Sequence, residues 1–253
     1  MKQVLAIARE TFLSLKRDKI FQPLSIIIAA AVGVAIFAAD WSLESRSQVY
    51  HDIVVFIFQV SGALISMIWG VKIISDSKQD GSIELSMSRP LSRSRWLFGR
   101  MLGLFFSLLA MSVVTGLIWR LGAIVYDIET NIPWFSIALA QTTLLWFITG
   151  AVAIFMSSFT GAGTALFASI SIWILGLLTR PIATGLVGGS NPAAKQFTEF
   201  LAKLWSLSSL IPESHGTIIS VQARQQTALY ALAILAALYF MGAAFAHFKD
   251  INS

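Results

Sequence analysis

Six stretches of this chain, 22–39, 53–74, 101–119, 135–157, 164–179 and 227–246, run with almost no charged side chain. A helix crossing about 30 Å of hydrocarbon needs roughly 20 mostly apolar residues. Each stretch comes close to that length once its ends are trimmed, and the apolar residues form long blocks rather than short amphipathic runs. The composition agrees: 56% of the residues are apolar and 12% are charged, against about 25% charged in an ordinary soluble domain. A water-soluble fold would lack the polar material to cover itself. The expected fold is an all-α membrane protein, one transmembrane domain over 1–253 with six spans inside 22–246.

The net charge of +5 would suit nucleic acid if it were gathered on one face. Instead the basic residues lie between apolar blocks, where they set orientation, so no nucleic-acid partner is expected. Lys2, Arg9, Lys16, Arg17 and Lys19 open the chain, and Lys72, Lys78, Arg89, Arg93, Arg95 and Arg100 follow the second block. The connections after the first and third blocks carry only Arg46 and Arg120, beside Asp40, Glu44, Asp52, Asp127 and Glu129. Positive charge held inside places both termini in the cytoplasm. The segment 180–226, which must then lie outside, holds Arg180, Lys195, Lys203 and Arg224 and fits the rule less well. Trp41, Trp119 and Trp134 stand at block ends, as interfacial anchors do.

Three segments are neither span nor plain loop. From 3 to 21, Val4, Leu5, Ala8, Phe12, Leu15 and Ile20 share roughly one helical face, which reads as a helix lying in the membrane surface or as a basic extension that only sets topology. Between the second and third blocks, Asp80-Gly81-Ser82 signals a turn and a helix start, and Arg89-Pro90 a stop. One short helix fits 82–88, capped by Ser82 and aided by Glu84 near its positive end. The loop at 76–100 is either a finger that a soluble partner grips or a solvated basic connection. In 180–226, an amphipathic run with Phe197, Phe200, Leu201 and Leu204 opposite Lys195, Glu199 and Lys203 predicts an external helix that gates an exit or simply packs.

Several chemistries are missing. No G-x-x-x-x-G-K-[ST] loop is present, so ATP chemistry would need another subunit. His51, His215 and His247 are far apart in sequence and no H-E-x-x-H occurs, so no metal site is expected; there is no cysteine. Carboxylates are absent from the middle of the blocks, where ion-coupled transporters place them. The blocks offer only mild polarity, with Gln59, Ser61 and Ser66 in the second, Gln141, Thr142 and Thr143 in the fourth, and Ser169 and Ser171 in the fifth. Such groups bond between helices or line a path; Gln59, Ser66, Gln141 and Thr142 are the path candidates.

Leu15-Lys16-Arg17-Asp18-Lys19, Asp80-Gly81-Ser82-Ile83-Glu84, Ser88-Arg89-Pro90-Leu91-Ser92-Arg93 and Gly99-Arg100 together resemble the type-2 ATP-binding cassette permease family. The likeness is greatest to the branch of the nitrous oxide reductase maturation permease and the gliding-motility permeases. The resemblance implies that 1–21 is the elbow helix and that the helix around Gly81 docks into a cytoplasmic ATPase, which holds the ATP and Mg; this chain itself holds no cofactor. It also implies an exporter in a bacterial inner membrane, with two ATPase copies and a second permease copy or paralogue. The coupling residues are then Asp80, Gly81, Ile83, Glu84, Leu85 and Met87, supported by Arg89 and Arg93. Ser77, Lys78 and Gln79 before the glycine, and Leu85-Ser86-Met87-Ser88 after it, depart from the family's usual acidic and apolar pattern. An ion-coupled secondary transporter and a membrane scaffold of an assembly complex are the rival readings.

Overall fold

The computed structural model describes residues 2–18, 21–42, 45–79, 93–186, 207 and 231–240, and all the elements among them are helical. They are α1 (Lys2–Lys16), α2 (Phe21–Asp40), α3 (Arg46–Gln79), α4 (Arg93–Val125), α5 (Ile132–Phe159), α6 (Ala162–Leu186) and α7 (Ala231–Phe240). Among the described residues, α3, α5 and the Ser94–Val125 part of α4 are long and apolar enough to cross a membrane. Ile26–Asp40, Ala162–Leu178 and Ala231–Phe240 are shorter apolar helices.

The long helices outrun the apolar blocks that foretell them. At 34 residues, α3 is about 51 Å long, against about 30 Å of hydrocarbon. Lys72 and Lys78, expected in a connection, therefore belong to α3, while Arg93, Arg95 and Arg100 belong to α4. A helix pays no penalty for charge once it leaves the hydrocarbon, so hydropathy marks where the membrane ends rather than where the helix does. For the same reason α6 continues past the expected boundary at 179, through Arg180 and Pro181, to Leu186. The external amphipathic run at 195–204 lies outside the described residues.

At the centre stands α3, packed against α2, α4, α5 and α6. Its apolar residues are spread round the helix, which lets most of its faces be buried while Phe56 and Ile68 stay exposed. Tyr50, Val54, Phe58, Met67 and Trp69 are all within 1% of complete burial. Two of the expected interfacial tryptophans belong to this interior: Trp119 and Trp134 are buried, and Trp41 alone of the three stays exposed. Trp119 has a polar partner for its ring nitrogen, which donates to His51 Nδ1 at 3.0 Å, so a large ring goes inside without stranding its N–H.

Helix ends follow local chemistry. Asn131 caps α5, its side-chain oxygen accepting from the Trp134 amide at 3.1 Å, with Pro133 in the first turn. At the far end of α4 the amide of Ile128 donates to the Ala123 carbonyl and that of Asp127 to Ile124. That pair of bonds needs a left-handed residue between helix and loop, and Asp127 supplies it at φ 52°.

Candidate functional site

Asp80, Gly81, Ile83, Glu84, Leu85, Met87 and Arg89 lie outside the described residues, and Arg93 is described only as the first residue of α4. What the structure describes is the frame that bears this segment. α3 ends at Gln79 and α4 begins at Arg93. They are antiparallel: Tyr50 of α3 donates its hydroxyl to the Trp119 carbonyl of α4 at one end, and Ser77 and Arg100 line one small cavity at the other. In sequence, 80–92 joins the ends of these two long helices.

Near that end α1 is fastened to α4, and Asp18, just past the end of α1, is fastened to α3. Arg100, although an ionisable residue, is only 8% exposed. Its Nη1 donates to Thr11 Oγ1 at 3.0 Å and its Nη2 to Glu10 Oε1 at 3.4 Å, while its Cζ lies 5.3 Å from the Trp96 ring centroid. On α3, Lys72 Nζ donates to Asp18 Oδ2 at 2.7 Å. Backbones come close here: a Cβ on Gly103 would stand 2.8 Å from the Ala8 carbonyl oxygen and 2.5 Å from the Thr11 Cβ. Ala8, Thr11 and Leu15, spaced as one helical stripe, are the buried face of α1. The helix expected to lie in the membrane surface is bolted by that stripe to the bundle, leaving Leu5 and Leu13 outside.

The sequence shows Arg100 as one more loop charge and gives no hint of its partners, which are 89 and 90 residues away. The one available signal is the small-residue spacing Gly99-x-x-x-Gly103, which allows close helix approach. The C-terminal end of α5 also takes part. Lys78 Nζ donates to the Ser157 carbonyl at 2.6 Å, neutralising the negative end of α5.

The path candidates divide. Ser66 Oγ lies 2.7 Å from Thr149 Oγ1, joining α3 to α5, and Thr142 donates to the Ala138 carbonyl of its own helix. Ser66 thus links two helices, whereas the bond of Thr142 stays within one. Gln59 Nε2 and Gln141 Oε1 are buried with no hydrogen-bond partner, so they keep unspent polar capacity in the interior. Close by, Trp146 Nε1 donates to the Phe58 carbonyl at 3.1 Å. The partners Phe58–Trp146, Ser66–Thr149 and Lys78–Ser157 rise together, so α3 and α5 run parallel.

The opposite end is closed by a network around His51, which is buried in the bundle. Trp119 Nε1 donates to His51 Nδ1 at 3.0 Å, so the ring proton of a neutral imidazole sits on Nε2 and points to the Glu129 carbonyl at 3.1 Å. Ser47 Oγ donates to the same carbonyl at 2.6 Å. The α4–α5 turn is thereby tied to the start of α3. Among the described residues no group of His, Asp or Glu could hold a metal ion.

The family model of the ABC-2 family transporter protein matches residues 5–250. No curated protein matches the chain.

Proposed function

Since the chain belongs to the ABC-2 family of transporter proteins and is therefore the multi-pass permease subunit of an ABC transporter, partnered with an ABC ATPase, we propose that it exports its cargo and receives its work through residues 80–92. The observation that carries this reading is the frame: α3 and α4, at 34 and 33 residues, bracket that segment, α1 is latched to α4, and Asp18 just after α1 is latched to α3. A push on the segment reaches the bundle interior along stiff helices rather than through a slack loop.

In this reading α1 is the elbow helix, α2 to α7 are the six spans, and both termini face the cytoplasm. The chain pairs with a second permease copy or paralogue and with two cytoplasmic ATPase subunits, which hold ATP and Mg. Closure of the ATPases on ATP drives the two coupling segments together and tilts the spans between inward- and outward-open states. Gly81 allows the turn, Ile83, Leu85 and Met87 fill the partner's groove, and Glu84 meets a basic group there. Asp80, Arg89 and Arg93 flank the contact. Gln59 and Gln141, the buried polar groups with open valences, face the cargo path. The absence of a mid-span carboxylate supports this reading over an ion-coupled carrier. The motifs at 80–100 support the nitrous oxide reductase maturation branch.

Replacing Ile83 and Glu84 together tests it. The ATPase is expected to stop copurifying with the membrane-bound permease, and transport to stop with it. Unchanged copurification and transport would sink the assignment.

A further inference from the structure

A groove of about 350 Å³ lies between the outer flank of α1 and the middle of α4. Its walls are Leu5 and Phe12 of α1 and Phe106, Leu109 and Ala110 of α4, and Arg9 sits among them. Leu5, Phe106 and Leu109 are 65%, 45% and 44% exposed, so the slot opens outward rather than into the bundle.

For a helix in a bilayer, an exposed apolar face needs no explanation. The cation within it does. Arg9 follows Leu5 by four residues and precedes Phe12 by three, which puts all three on one face. Arg9 is exposed and makes no ion pair among the described residues, while the neighbouring carboxylate of Glu10 is turned to Arg100. Lys16 continues the same row two turns on and is also exposed. The groove is therefore an apolar slot with a positive rim, and its missing counterpart is an apolar chain carrying an anion.

A second copy of this chain does not supply that counterpart from its bundle. α4, α5 and α6 contain no Asp or Glu, and α3 has none between Asp52 and Asp76. A phospholipid with an anionic headgroup does. Its acyl chain matches the slot, its phosphate matches the fork of a guanidinium, and such lipids are concentrated in the cytoplasmic leaflet.

We propose that this groove seats one anionic phospholipid of the leaflet that α1 faces, with the acyl chain between α1 and α4 and the phosphate on Arg9. The inference rests on the membrane-embedded placement of the bundle and on the proposed cytoplasmic side of α1, not on export or on coupling at 80–92.

Native mass spectrometry of the purified full chain tests it, using equal amounts of phosphatidylglycerol and phosphatidylethanolamine with identical acyl chains. One surface cation is worth about a fivefold preference, so phosphatidylglycerol adducts should exceed phosphatidylethanolamine adducts by about that factor. Arg9→Gln should bring the two lipids to parity, whereas Arg9→Lys, equally exposed, should keep the preference and show that charge rather than folding was lost. Ala110→Phe should fill the slot and lower adducts of both lipids. Equal retention by the wild type, or a preference that survives Arg9→Gln, would overturn the proposal. So would a Leu5→Cys/Leu109→Cys protein whose disulfide joins two copies, because a second chain would then occupy the groove.

Discussion

Gly70 shows how little room single residues have in this bundle. A Cβ there would lie 2.5 Å from the Gly150 carbonyl oxygen and 2.9 Å from the Ala153 Cβ. The obstacle is backbone, which cannot rotate aside as a side chain can. Gly70→Val is expected to force α3 from α5 and cost about 1–3 kcal/mol, read as a lower melting temperature in detergent. A variant as stable as the wild type would mean that the two helices do not meet there. Ser66→Ala, one turn away, removes the bond to Thr149 and a bond to the Ala63 carbonyl of its own helix, and of these only the first joins two helices. Such bonds between membrane helices average about 0.6 kcal/mol, so that variant should melt close to the wild type. The contrast belongs to lipid: hydrocarbon solvates Ala as well as the protein does, and shape counts for more than burial. Gly70 is visible in the sequence as a glycine in an apolar run, but nothing there names Gly150 as its neighbour.

Among the elements, α1 carries the clearest mechanical consequence. Its buried stripe of Ala8, Thr11 and Leu15 meets α4 at Gly103 and is held by Arg100, while Gly99 faces Val4 and Ile7 of the same helix. Gly103→Leu is expected to lift α1 from α4 at a cost of about 1–3 kcal/mol. Protection of the amides in residues 2–16 against hydrogen exchange should then fall by about tenfold or more, because each 1.4 kcal/mol is worth a factor of ten. Unchanged protection would show that α1 is held by something other than this contact. The amphipathic period of α1 was readable from its residues. Which of its faces meets protein and which meets lipid was not, because Leu5, Ala8, Phe12 and Leu15 are all apolar and differ only in what lies opposite them. α3 taught the converse lesson. Its apolar block foretold a span, but the extra turns at both ends were hidden because Arg46, Lys72, Asp76 and Lys78 look like loop charges.

At the scale of the whole molecule, the proposed coupling requires that the α4–α5 turn and the α5–α6 turn lie on opposite sides of the membrane, with 80–92 on the inner side. The chain contains no cysteine, so single cysteines can be read without background. Asp127→Cys should react in intact cells with a membrane-impermeant maleimide, and Gly161→Cys only after the cells are opened. The reverse pattern would invert the protein and leave the segment 80–92 where no cytoplasmic ATPase reaches it. Asp127 stands at a left-handed backbone position, so Glu129→Cys serves as a second outer site where cysteine carries no such strain.

Crossing a membrane is a local property: length, apolarity and the distribution of Lys and Arg are all properties of adjacent residues, and they were complete in the linear order of amino acids. Pairing between helices is not local. Hydrocarbon rewards every apolar face alike, so the parallel contact of α3 with α5 and the latch of Arg100 on Glu10 and Thr11 followed from shape and from hydrogen bonds across scores of residues. The same holds for the enclosure of His51 by Trp119 and the α4–α5 turn. Those contacts exist only once the helices are assembled, and only the fold could disclose them.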